Sequence, residues 1–214
     1  MTKSRIVILG ANAAARIVAY NLSYQADTEV VGFLDPDNSK HGTLISGKPV
    51  LGSDALLPEL YASGVRLAVI AAGEPLLRTK LRKLLEGHGF ELANAIHPSA
   101  LVSPAVRLGR GIVILAGSVL SDNPVVEDNV WIGLAATITH DTRIGRDSLI
   151  GGRSAIGAEV DIGERTMIGW GAVVGPRRKI GADAAVGFGS NVVSDIPDRA
   201  IVIGNPARVL RYRD

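Results

Sequence analysis

IGLAATITHDTRIGRDSLIGGRSAIGAEVDIG, residues 132–163, carries isoleucine at 132, 138, 144, 150, 156 and 162. The same step of six runs back through Val126, Leu120, Ile114, Leu108 and Val102 to Ile96, and forward through Ile168, Val174, Ile180 and Val186 to Val192. All seventeen positions hold Ile, Val or Leu, and ten of the seventeen are followed by glycine. The fifth position of each hexad is mostly small or β-branched, with Pro124 and Arg178 as exceptions.

A period of six fits neither a helix nor a two-sided strand. It fits short flat strands joined by tight corners and wound into a prism, one aliphatic per side pointing inward. The glycine beside each aliphatic is expected to permit the backbone geometry of a corner. Three sides close a coil of about 18 residues, and coils stack at strand spacing, about 4.8 Å. Residues eighteen apart are therefore expected to be stacked neighbours.

The rest of the chain has a different rhythm. RIVIL (5–9) reads as a buried strand, Gly10 as a turn, 13–24 as a helix, and EVVGFL (29–34) as a second strand ending at Asp35. Ser53 reads as the N-cap of a helix through Tyr61, 67–71 as a third strand, and 75–86 as a charged amphipathic helix. Alternating strands and helices imply a small parallel sheet covered by helices, a Rossmann-like βαβ domain over residues 1–92 with the repeat domain and its tail over 93–214. Ligands of such sheets lie beyond the strand C-termini, here at Gly10 and Asn12, at Asp35 and Asp37, and at Gly73.

A 47% hydrophobic chain with 4% aromatics suits a core of small aliphatics. With 23 basic and 21 acidic residues the net charge is +2, too small to point to nucleic acid as the main partner. The absence of cysteine rules out disulfide and thiolate chemistry and fits a reducing cytoplasm. The opening residues read as neither a signal peptide nor a membrane span, so a soluble, cytoplasmic protein is expected.

With IHPSALVSPAV (96–106), ITHDTRIG (138–145) and VIGNPARVLR (202–211) joined by unbroken hexads, the chain resembles the bacterial sugar O-acyltransferase family. That family includes sialic acid O-acetyltransferases and the N-acetyltransferases of nucleotide-linked amino sugars. The resemblance covers essentially the whole chain and implies a left-handed β-helix, a homotrimer with active sites between subunits, acetyl-CoA as co-substrate, no metal, and a nucleotide sugar on the N-terminal domain. It implies acetylation of a nucleotide-linked amino sugar in surface-glycan synthesis; O-acetylation and a non-catalytic sugar-binding role are the alternatives. The chain departs from the family in its first loop, GANAAA in place of a GASGHG-like run, and carries Gly133 and Leu149 where an Asn and a second histidine are common.

Acyl transfer needs a proton acceptor for the attacking group and donors for the oxyanion. Of four histidines, only His140 lies within the repeats beyond the first hexad, so a three-histidine metal site as in metal-dependent hydratases has no residues to form it. The resemblance makes His140 the base and Asp141 the carboxylate that raises its basicity. The eighteen-residue step sets Ala158 beside His140, its N–H a candidate oxyanion donor. It also stacks Leu134, Gly152, Trp170 and Phe188 in one column, whose two aromatics could flank coenzyme A or pack against a neighbouring subunit or the C-terminal tail. Gly175 and the basic run at Arg177, Arg178 and Lys179 are candidates for its phosphate end. Arg78, in the helix after AGE (72–74), matches a basic residue often present there in the family, and by that resemblance could meet a phosphate.

Overall fold

The computed structural model describes residues 3–213. The first unit runs β1 (Ser4–Leu9), α1 (Ala13–Ser23), β2 (Thr28–Leu34), β3 (Leu44–Ile45), β4 (Lys48–Gly52), α2 (Leu57–Ala62), β5 (Leu67–Ile70), α3 (Pro75–Gly87) and β6 (Glu91–Leu92). Its sheet has the order β3-β4-β2-β1-β5-β6, parallel throughout except for the β3–β4 hairpin. That hairpin was not evident in the sequence, because its strands are short and one carries Pro49. Ser53 does accept a cap hydrogen bond, from Ala55 N–H, but the turn it starts is a 3-10 turn (Asp54–Leu56) that leads into α2.

From Ala95 onward the chain forms two-residue strands on three faces. The first face stacks Ala95–Ile96, Val113–Ile114, Trp131–Ile132, Leu149–Ile150, Met167–Ile168 and Ala185–Val186. The second stacks Leu101–Val102 through Asn191–Val192, and the third Arg107–Leu108 through Lys179–Ile180. Pairing is parallel and steps by eighteen residues, as in Ile132↔Ile150, Ile138↔Ile156 and Ile144↔Ile162. The aliphatic series from Ile114 to Val192 is buried on the axis as one continuous core. This is a left-handed β-helix. Its last coil is shorter: Val186 pairs with Val202, and the hairpin Ala200–Gly204 with Ala207–Tyr212 extends the first face.

The structure corrects the reading of the hexad glycines. The left-handed backbone falls at the fourth position, at Asn123, Asn129, Ala135, Asp141, Asp147 and Arg153 (φ 52 to 61°), and not at the glycine beside the aliphatic. Those glycines are required by the coil above: a Cβ on Gly151 would lie 2.6 Å from Trp170 N, and one on Gly145 2.5 Å from Glu164 N. The fifth-position hydroxyls complete the corner, as where Thr142 Oγ1 donates to the Gly157 carbonyl at 3.0 Å and Ser148 Oγ to that of Gly163 at 3.0 Å.

The first unit lies against the first face of the helix. Ala95, Val113, Leu115 and Trp131 share a core with α1 and the sheet, and Asn21 in α1 donates to the Ala95 and Ile114 carbonyls. From α3, Arg78 donates to the Asn129 carbonyl and side chain, and Thr79 and Arg82 to the Asp147 carboxylate. The expectation that Arg78 meets a phosphate is therefore corrected. It is 0% exposed, and its guanidinium also donates to the Ile70 and Ala72 carbonyls. Burial pushes its pKa down to about 10, with Asp147 opposing the shift.

Candidate active site

His140 stands exposed on the edge between the second and third faces. Its Nδ1 lies 3.0 Å from Asp141 Oδ2, and the other carboxylate oxygen accepts from Asn123 Nδ2 at 2.7 Å. The hydrogen bond from Asn123, then that from His140, holds the Asp141 carboxyl below the ordinary carboxylate range. An ionised carboxylate only accepts, so Nδ1 carries the imidazole proton and Nε2 of the neutral ring is a free lone pair. Asn123 was missed in the sequence, although the eighteen-residue step from Asp141 leads directly to it.

The same edge carries Ala158 one coil on and Pro176 two coils on. Backbone bonds Glu159 N–H to His140 O (3.1 Å) and Arg177 N–H to Ala158 O (2.8 Å) fix the column, while the Ala158 N–H takes no part in the backbone ladder among the described residues. Arg177 and Lys179 are exposed, Lys179 on the third face in the strand Lys179–Ile180. Arg178 cannot fill the small interior corner at its position; its Nε donates to the Pro176 carbonyl, and its Nη1 lies 3.9 Å from Asp195. Gly175, half-buried, donates its N–H to Val192 O.

Trp170 and Phe188 do not share that edge. They follow strands of the first face, so they stand between the first and second faces, one full side of the prism from His140. The eighteen-residue step correctly stacks them, but a step of six changes edge. Trp170 is 49% and Phe188 76% exposed, and the Trp170 ring lies so close over Gly152 that a Cβ there would sit 2.5 Å from Cζ3.

At the C-terminal ends of β1, β2 and β5 is a cavity of about 360 Å³ that includes Gly10, Asn12, Asp35 and Gly73 in its lining. Gly10 has φ +111°, and a Cβ on it would lie 2.8 Å from the Ala71 carbonyl, so this loop passes close over β5. Asn12 caps α1 by accepting from Ala15 N–H. Asp35 is buried and engaged internally, accepting from Ala11 N–H, Asp37 N–H and Lys40. Burial would raise its pKa, but these bonds, led by that from the Asp37 N–H, leave it lowered. Asp37 is exposed and caps the turn Asn38–Lys40; it is not among the residues lining the cavity.

Residues 5–85 match the family model described as the PglD N-terminal domain. Across 96% of this chain and 97% of the other, the protein is 39% identical to PerB from Caulobacter crescentus, whose structure holds CoA and GDP-perosamine, with a TM-score of 0.91. The acetyltransferase domain of PglB from Neisseria gonorrhoeae, in complex with acetyl coenzyme A, is 29% identical over 97% of this chain and all of that one, with a TM-score of 0.89. No helix among the described residues is long and apolar enough to cross a membrane. By its PglD-type N-terminal domain, its left-handed β-helix and its likeness to PerB over nearly the whole length of both chains, the protein belongs to the hexapeptide-repeat N-acyltransferases of nucleotide-linked amino sugars.

Proposed function

We propose that the protein transfers the acetyl group of acetyl-CoA to the amino group of a nucleotide-linked amino sugar, within surface-glycan synthesis. The observation that carries this reading is the exposed His140 imidazole, oriented by Asp141 so that Nε2 is its free nitrogen. The neutral sugar amine attacks the thioester carbonyl carbon, and the new C–N bond leaves negative charge on the carbonyl oxygen. The Ala158 N–H faces that oxygen, and His140 Nε2 takes the proton from the amine. Collapse of the intermediate breaks the C–S bond, and the departing CoA thiolate recovers the proton from the imidazolium.

A homotrimer supplies what one copy lacks. The outward residues of the second face are Leu101, Val119, Thr137, Ala155, Val173 and Asn191, all uncharged, with Leu101 and Val173 exposed. The third face is charged, with Arg143 bridging Glu127 and Asp161. Turning the second face toward a threefold axis sets the His140 edge of one copy beside the Trp170–Phe188 edge of the next. Acetyl-CoA then runs between copies, with Gly175 and the Arg177–Lys179 run from one and the aromatics from the other.

The test is thiol release from acetyl-CoA with nucleotide-linked amino sugars, beside the same sugars carrying hydroxyl in place of amine. Release only with the amine supports N-acetylation. Binding of acetyl-CoA with no release from any acceptor would leave a binding protein instead.

A further inference from the structure

Helix α3 has two working faces. Arg78, Thr79 and Arg82 hold the β-helix, while Leu77, Lys80, Leu81 and Leu84 turn into the 360 Å³ cavity beyond the sheet. That volume is in the range of small-ligand sites. Leu77, Leu81 and Leu84 of α3, with Leu9, Leu34 and Pro36, give it an apolar lining suited to a flat base.

The polar groups of this cavity divide sharply. Asp35 is saturated by Ala11, Asp37 and Lys40, and the Glu74 carboxylate is spent on the Leu76 and Leu77 N–H groups at the start of α3. Among the described residues, Asp54 and Lys80 line the cavity with no ion pair or hydrogen bond to their side chains. The cavity thus offers an incoming ligand one uncommitted carboxylate and one uncommitted ammonium.

Resting on the reading of this cavity as the nucleotide-sugar site, we infer that Asp54 selects guanine as the base and that Lys80 meets the diphosphate. A carboxylate is an acceptor at both oxygens. Guanine presents two adjacent donors, N1–H and the exocyclic N2–H₂, which such a group can take as a pair. Uracil and thymine present a single N–H between two carbonyls, so a carboxylate there meets repulsion on both sides. Adenine and cytosine pair one amine with a ring-nitrogen acceptor and satisfy only one oxygen. Lys80 acts on charge common to every nucleoside diphosphate and carries no base preference.

Calorimetric titration of the full chain with GDP, IDP and UDP tests this, using Asp54→Asn and Lys80→Ala. Neither side chain has a partner to lose, so both variants are expected to fold. The native protein is expected to bind GDP about 10- to 100-fold tighter than IDP, which lacks the exocyclic amine, and tighter still than UDP. Asp54→Asn should collapse the GDP–IDP difference, whereas Lys80→Ala should weaken all three about equally. Unchanged GDP preference in Asp54→Asn, or native preference for UDP, overturns the role of Asp54 while leaving the cavity a nucleotide site. Failure of the native protein to bind any of the three overturns the site itself.

Discussion

Asn129 and Asp147 lie eighteen residues apart in sequence, and the Asn129 side-chain amide donates to Asp147 Oδ1 over 2.7 Å. This rung of the β-helix is also the anchor of the first unit, because Arg78 grips Asn129 and Arg82 forms a two-pronged pair with Asp147, Nε to Oδ1 at 3.0 Å and Nη2 to Oδ2 at 2.9 Å. The Asp147 side chain is wholly buried and that of Arg82 nearly so. Removing one partner of such a pair strands the other. Asp147→Ala is expected to destabilise the protein by about 3–5 kcal/mol, read by urea denaturation, while the β-helix core is untouched.

The same carboxylate gives an acid dependence. Burial alone would raise the Asp147 pKa, but hydrogen bonds from Arg82, Asn129 and Thr79 outweigh it and leave the native value lowered. A folded-state pKa below the unfolded one contributes stability above the unfolded value, about 3.9, and loses it as pH falls through the lower native value. Melting temperature should therefore fall more steeply below about pH 4 in the native protein than in Asp147→Asn, which lacks the titration. Parallel curves would remove Asp147 from the interface energetics.

Asn123 donates to Asp141, so in the proposed mechanism it acts on the base at one remove. Asn123→Ala removes one hydrogen bond from the carboxylate, a loss of about 1 kcal/mol or roughly fivefold in rate. The expected signature is a fall in kcat with the KM for acetyl-CoA unchanged. A change in KM alone would make Asn123 a structural residue of the edge.

Two glycines separate close approach from backbone conformation. Gly145 has an ordinary φ but no room, whereas Gly171 has φ +67° and nothing within 4 Å of a built Cβ. Gly145→Ala should cost about 1–3 kcal/mol by forcing two coils apart. Gly171→Ala should cost less, since Ala135 already adopts φ 52° at the equivalent corner position. Denaturant midpoints of the two variants decide the order.

Most of the β-helix was legible because a buried aliphatic every six residues can be satisfied by few backbones, and the eighteen-residue coil follows from it. The reason for the glycines was not legible: hexad position alone does not distinguish a corner φ from a neighbouring coil, and it is Asn123, Asp141 and their non-glycine equivalents, at φ +52 to +61°, that show where the corner lies. The Arg78 expectation came from a basic residue common at that place in the family, and a match of residue type does not tell a phosphate ligand from a guanidinium held by buried carbonyls. Its fate depends on where α3 docks, and Asn129 is 51 residues away. The Trp170–Phe188 column followed directly from the eighteen-residue step, and its six-residue offset from the His140 column puts it on another edge of the prism.

The most direct measurement is the rate of thiol release by His140→Ala with acetyl-CoA and an amino-sugar nucleotide, taken beside acetyl-CoA binding by calorimetry. His140 is exposed and bonded through its side chain to Asp141 alone, so the variant should fold and bind acetyl-CoA as the native protein does. Turnover is expected to fall about 10²- to 10⁴-fold; turnover near the native rate with binding intact would contradict His140 as the base.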